Sequence, residues 1–143
     1  MVKKCSCCVV GDKSRATVKW IGNYQFVGVA REHSVVMDQK VEEGGENAGF
    51  KPTELLLTSL GGCLGTTILS VAKLWDLEIA ELKLDVEVER SVEEDVEWKF
   101  TVNVHIDGNF SQEKKEKLIK TVEETCKISN MLKGVCEVHV KFD

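Results

Sequence analysis

Two of the six cysteines lie inside segments with helical patterning, where a thiol can serve as a nucleophile or a redox centre. Cys63 follows a Gly-Gly pair in the most apolar stretch of the chain, and Cys126 ends the apolar stripe of a later amphipathic segment. They are far apart in sequence, so only folding can bring them together. The alternative is that both are small buried hydrophobic residues, which is the usual state of free cysteines in protein cores.

The other four cysteines offer less chemistry. Cys5, Cys7 and Cys8 form a C-x-C-C cluster that is capable of binding a soft metal or of forming disulfides. No matching pair of histidines or cysteines completes a recognisable site, so we predict that residues 1–14 are a flexible tail and that the protein holds no metal. Cys136 alternates inward on a predicted strand and is expected in the core.

Composition limits the classes of protein to consider. The 143 residues carry a formal net charge of −5 and are 43% hydrophobic, which fits one folded domain over residues 1–143. An acidic chain lacks the basic surface that nucleic acid needs. The longest apolar stretch is interrupted by polar residues, so we expect a buried helix and no membrane span. The N-terminus has no signal-peptide pattern, which predicts a cytoplasmic protein with reduced thiols.

The first half of the chain predicts strands followed by a buried helix. Residues 16–20 and 24–31 are predicted as strands joined by a Gly-Asn turn, and residues 34–37 continue the sheet. Residues 38–51 are polar and rich in glycine, which is typical of a loop. A helix is expected to begin at Pro52 and to extend to Leu74, with apolar residues on most of its faces.

The second half predicts a strand, a second strand, a helix and a last strand. Apolar and polar residues alternate over 82–89 and again over 96–107, the period of strands with one solvent-exposed face. Ser111 is a predicted N-cap for an amphipathic helix whose inner stripe ends at Cys126. Alternation over 136–142 predicts the final strand. The order of these elements indicates an α+β domain.

Two segments carry a resemblance to a known family. Residues 52–63, PTELLLTSLGGC, resemble the segment around the reactive cysteine of the osmotically inducible protein C (OsmC) and organic hydroperoxide resistance (Ohr) family. Residues 125–132, TCKISNML, are similar to the family's second cysteine segment, and the resemblance extends from about Ala16 to the C-terminus. It implies an OsmC-like fold: N-terminal strands, a buried central helix, a β-β-α-β second half, and an intertwined homodimer whose active sites are built from both chains.

The resemblance also implies thiol-dependent reduction of organic hydroperoxides. Cys63 would attack the peroxide and become a sulfenic acid, Cys126 would condense with it to a disulfide, and an external dithiol would reduce the pair. No cofactor is implied. Apolar neighbours of Cys63, namely Leu56, Leu60 and Leu64, would favour an apolar substrate.

Departures from the family pattern leave alternatives open. Many members carry a glutamate directly after the proline, where it positions an arginine; here that residue is Thr53, and Glu54 follows it. Glu54 is the third catalytic candidate, although it can equally be a carboxylate at a helix start. The activating cation would be Arg31, Lys40 or neither. The alternative function is a non-catalytic OsmC-like protein that binds a small ligand in an apolar pocket at the dimer interface.

Overall fold

A computed structural model describes residues 13–90, 97–134 and 136–142. The strands and helices form separate groups along the chain, three strands, a long helix, two strands and two helices, which is the predicted α+β class. The chain divides into two compact units, one that ends at Thr58 and one that begins at Ser59. Of the predicted N-terminal tail, the part that holds Cys5, Cys7 and Cys8 lies outside the described residues.

The first unit contains a three-stranded antiparallel sheet in the order β1-β2-β3. Its strands are β1, Thr17–Gly22, β2, Gln25–Ala30, and β3, His33–Met37. Asn23 and Arg31 lie in the two tight turns with φ values of 42° and 55°, the left-handed conformation that such turns require. The first turn lies one residue later than predicted, because β1 includes Gly22.

One face of this sheet carries apolar side chains, several of which are exposed to solvent in the described chain. Antiparallel partners project their side chains to the same side, and the register places Trp20 opposite Phe26 and Val18 opposite Gly28. Trp20 is 63% exposed and Val18 is 57% exposed. We call this surface the apolar sheet face, and its side chains are Val18, Trp20, Phe26, Val35 and Met37.

The predicted loop after β3 contains a short 3-10 helix, Val41–Glu43, and is organised by one buried carboxylate. Asp38 is 1% exposed and accepts hydrogen bonds from the backbone amides of Gln39, Glu46 and Ala48 at 2.7, 3.1 and 3.0 Å. These amide donors, of which Ala48 has the largest effect, hold the pKa of Asp38 below its usual value. Position 45 must be glycine in this loop, because a Cβ there would overlap the carbonyl oxygen of Gln39.

Asp38 makes the stability of this unit sensitive to acid. A carboxylate whose folded pKa is lowered stabilises the fold above the unfolded pKa, near 3.8, and loses that contribution as the pH falls through the folded pKa. We expect Asp38→Asn to lower the unfolding midpoint at pH 7 and to flatten its dependence on pH below about 4. Thermal unfolding between pH 2 and 7 measures this, with exposed Glu42→Gln as the control. Parallel curves for Asp38→Asn and the wild type would contradict it.

The second unit packs helices on one face of a two-stranded antiparallel sheet. The strands are β4, Ile79–Arg90, and β5, Trp98–Gly108, and their alternation of half-buried and exposed residues confirms the predicted pattern over 82–89. Helix α1, Pro52–Leu74, begins in the first unit and continues here. By length and composition α1 could also cross a membrane, a property that buried helices of soluble proteins share.

Two glycines allow α1 to approach the sheet closely. A Cβ on Gly61 would lie 3.1 Å from the Val86 side chain, and one on Gly65 would lie 3.6 Å from the Leu84 side chain. The glycines are four residues apart and share a helix face. Of the glycine pair before Cys63, Gly61 packs closely, whereas a Cβ on Gly62 would meet nothing within 4 Å. Both stand inside a continuous helix, so the pair does not free backbone amides.

Two predictions for the C-terminal part were incomplete or wrong. The helix capped by Ser111 is α2, Gln112–Thr125, and it ends at Cys126 as its apolar stripe indicated, but a separate and unpredicted α3, Lys127–Lys133, follows it. The predicted strand over 136–142 is not formed in the described chain, where Val138 and Phe142 are 86% and 93% exposed. Cys136, expected in the core, is exposed for the same reason: no strand among the described residues covers it.

Candidate functional site

The structure brings the two candidate thiols into contact. The Cys126 Sγ donates a hydrogen bond to the Cys63 Sγ at 3.3 Å. Cys63 lies within α1, and Cys126 lies at the junction of α2 and α3. A disulfide has an S–S length of about 2.05 Å, so the two sulfurs need to move by little more than 1 Å to form one.

The fold places Cys126 at a corner between two helices. Leu118, Val122 and Cys126 lie four residues apart on one helix face and are all buried, at 0%, 2% and 0% exposure. The Cys126 amide donates to the carbonyl of Val122 and ends α2, and the Cys126 carbonyl accepts from Asn130 in α3. The extended backbone at Cys126, with ψ of 120°, separates the two helices.

Burial gives the two thiols different properties. Loss of contact with water raises the pKa of the Cys126 thiol to about 11, and the neighbouring Cys63 adds to this effect. Cys126 therefore keeps its proton at neutral pH. Cys63 is half-buried and is the more accessible of the two sulfurs. The pair consists of one protonated, enclosed thiol and one thiol that a substrate can reach.

An apolar groove of about 590 Å³ is lined by sequence neighbours of both cysteines, although neither cysteine is itself a lining residue. Leu60 and Leu64 line it from α1, on either side of Cys63 in sequence, and Val122 and Ser129 line it on either side of Cys126. Leu56, the third predicted neighbour, is not among the lining residues. The sequence did not predict the groove, because its opposite wall comes from β5, and the alternating pattern of β5 predicted only a strand with one buried face. That wall consists of Trp98, Lys99, Phe100, Val102 and Val104.

Glu54, the third candidate, makes a structural contact at the start of α1. Its carboxylate accepts a hydrogen bond from the backbone amide of Lys51 at 2.9 Å. This is the contact expected of a carboxylate at a helix start, and a catalytic role for Glu54 stays a prediction. The candidate cations, Arg31 and Lys40, are exposed in the first unit, at the β2–β3 turn and before the 3-10 helix.

The described residues contain no group of three or more histidine, cysteine, aspartate or glutamate side chains that is arranged to hold a metal ion. The C-x-C-C cluster lies outside the described residues. Within the described part of the chain, the donor set at the candidate site is therefore two sulfurs. Its available chemistry is nucleophilic attack by a thiolate and reversible disulfide formation.

One relative is similar to part of the sequence. The sequence is 33% identical over 91 residues to the uncharacterized protein MJ0573 of Methanocaldococcus jannaschii; the match covers 62% of this chain and 47% of the relative. The chain thus spans about half the length of that relative.

Two solved structures share the fold. The crystal structure of an OsmC-like protein from Mycoplasma pneumoniae has a TM-score of 0.76 and 20% identity, covering 88% of this chain and 91% of that one. The organic hydroperoxide resistance protein OhrB of Bacillus subtilis has a TM-score of 0.60 and 20% identity, covering 86% and 92%.

A family assignment follows from the sequence itself. The sequence pattern of the family described as OsmC-like protein matches residues 44–141, more than half of the chain. That range contains both thiols and every element that lines the groove. With the fold and the sequence pattern in agreement, the chain belongs to the OsmC-like protein family.

Proposed function

We propose that this protein is a thiol-dependent peroxidase that reduces organic hydroperoxides and serves in defence against oxidative stress. The observation that carries the proposal is the 3.3 Å contact between Cys63 and Cys126, two residues that lie far apart in sequence. Membership of the OsmC-like family and the similarity of the fold to a hydroperoxide resistance protein support it.

The chemistry needs only the two sulfurs and an external reductant. The Cys63 thiolate attacks one peroxide oxygen and becomes a sulfenic acid, while the other oxygen departs with the organic group. Cys126 then attacks the Cys63 sulfur and a disulfide forms. A dithiol restores both thiols by exchange. The groove favours an uncharged, apolar organic group, since most of its lining side chains are aliphatic or aromatic.

The mass of the intact protein tests the proposal. We expect one equivalent of cumene hydroperoxide to remove two hydrogens from the reduced protein and to yield a peptide that links Cys63 to Cys126. With a dithiol present, the protein should consume further peroxide. Thiols that all stay free after treatment would exclude the enzyme. A small molecule retained in native mass spectra, without turnover, would instead support the non-catalytic ligand-binding function, which the groove would also suit.

We further propose that the working form is a homodimer. Two observations support a second copy as the partner: the apolar sheet face of the first unit is exposed, and residues 136–142 expose alternate apolar side chains without a strand partner in the described chain. Surfaces of this kind mark interaction sites, because exposed apolar area is costly in water. The family resemblance implies the same assembly.

Trp20→Glu should weaken this dimer. A carboxylate on the apolar sheet face must be desolvated on association, and we expect the dimer dissociation constant to rise by about a hundredfold or more. Sedimentation velocity over a range of protein concentrations measures the change. Lys19→Glu is the matched control, because Lys19 lies on the other face of the same strand. A monomeric wild type, or equal effects of both substitutions, would overturn the proposal.

A further inference from the structure

The two sulfurs of the candidate site differ in what surrounds them. Cys126 is fully buried and is a member of the core cluster, together with Leu118 and Val122 of the same helix face. Cys63 is half-buried and packs against that cluster from α1. The sulfurs lie 3.3 Å apart, so each of them shields one side of the other. An external molecule therefore has access to the pair at Cys63.

Thiol–disulfide exchange has a defined geometry. The attacking thiolate approaches one sulfur along the line of the S–S bond, from the side opposite the sulfur that leaves. An attack on Cys126 would have to pass through the core cluster that encloses it. An attack on Cys63 comes from the side of Cys63 that faces away from Cys126. Once a disulfide joins the pair, burial thus makes its two ends unequal.

We propose that the external reductant attacks the disulfide at Cys63 and that Cys126 is the leaving group, an assignment that rests on the proposed peroxidase cycle. The reductant thiolate forms an S–S bond with Cys63, the Cys63–Cys126 bond breaks, and Cys126 departs with the electron pair and takes a proton from solvent. A second reductant thiolate then attacks the reductant sulfur of this mixed disulfide and releases Cys63. The protein gains two electrons, and the reductant becomes a disulfide.

The position of Cys126 also restricts the reductant that can complete the exchange. Hydrogen bonds from its amide to Val122 and from Asn130 to its carbonyl hold it in place after it has left Cys63. It can therefore expel a monothiol such as glutathione from Cys63 before a second glutathione arrives. A dithiol carries its second thiol on the same molecule and competes with this return. Cys126 is thus a specificity-determining residue for the reductant.

The location of the mixed disulfide tests which sulfur is attacked. The protein disulfide is prepared with diamide, so that the test does not depend on peroxidase activity, and is treated with excess glutathione and quenched in acid. Peptide masses show which cysteine carries glutathione. We expect at least about tenfold more on Cys63 than on Cys126 in the folded protein, and similar amounts on both in guanidinium chloride. Similar amounts on both cysteines of the folded protein would overturn the proposal.

Cys126→Ser tests the restriction on the reductant. In this variant the Cys63 sulfenic acid reacts with glutathione to give a mixed disulfide and water, and no neighbouring thiol expels the glutathione. We expect the ratio of the glutathione-supported to the dithiothreitol-supported rate of cumene hydroperoxide consumption to rise by about 10²-fold over the wild type. Cys136→Ser, which changes an exposed thiol, should keep the wild-type ratio.

The possible outcomes separate this proposal from the peroxidase function. An unchanged ratio in Cys126→Ser, with turnover intact, would overturn the role of Cys126 in selecting the reductant. A wild type that consumes no peroxide with dithiothreitol would overturn the peroxidase function. The glutathione exchange of the diamide-oxidised protein would still decide which sulfur an external thiol attacks, because that measurement involves no peroxide.

Discussion

Replacing Cys63 by serine is expected to abolish peroxide consumption, with a loss of turnover of about a thousandfold or more. A serine hydroxyl at the same position stays protonated at neutral pH and is a poor nucleophile towards peroxide oxygen, so the first S–O bond cannot form. The hydroxyl can still accept the hydrogen bond from Cys126, and the helix around it is unchanged. We therefore expect the thermal unfolding midpoint to stay close to that of the wild type.

Cys136→Ser is the matched control for this prediction. Cys136 is an exposed thiol whose Sγ donates a hydrogen bond to the carbonyl of Met131. The substitution Cys136→Ser therefore makes the same sulfur-to-oxygen change at a surface position. Turnover with cumene hydroperoxide and an added dithiol should match the wild type in Cys136→Ser and vanish in Cys63→Ser. Comparable rates in the two variants would show that the reactive sulfur is not Cys63.

The candidate site was predictable in its residues but not in its geometry. The apolar setting of Cys63 and Cys126 and two family segments identified the pair, and the structure brings the two sulfurs together. The spacing of Leu118, Val122 and Cys126 correctly placed the end of α2 at Cys126, but nothing in it revealed that α3 begins directly afterwards. The high pKa of Cys126 was equally hidden, since it depends on burial by residues from several elements.

Most of the fold followed from periodicity, which reports which side chains are buried. The alternation over 82–89 and the bounds of the helix from Pro52 to Leu74 match the observed elements, because the neighbours that bury one face of each belong to the same chain. The prediction that most faces of this helix are buried is only partly met, since Leu69 is 52% exposed. Alternation over 136–142 gave the same signal, yet the described chain provides no strand beside it. A two-residue period shows that alternate side chains favour burial, but it does not show which molecule provides the surface.

The buried stripe of α2 should control both stability and the approach of the two sulfurs. Leu118 is fully buried in the core cluster that also contains Cys126, one turn beyond Val122 on the same face. Leu118→Ala leaves a cavity there and should lower the free energy of unfolding by about 3 kcal/mol. Leu74→Ala, at the exposed end of α1, removes the same atoms and should cost less than about 1 kcal/mol. Denaturant unfolding of the reduced proteins measures both.

The same cavity should separate the two chemical steps. Cys63 is held by α1, so its reaction with peroxide should be little changed in Leu118→Ala, whereas a loosened α2 allows Cys126 to move away from it. We expect sulfenic acid to accumulate and dimedone labelling to increase relative to disulfide after one equivalent of cumene hydroperoxide. An unchanged ratio at reduced stability would mean that α1 and α3, without α2, hold the sulfurs at their 3.3 Å separation.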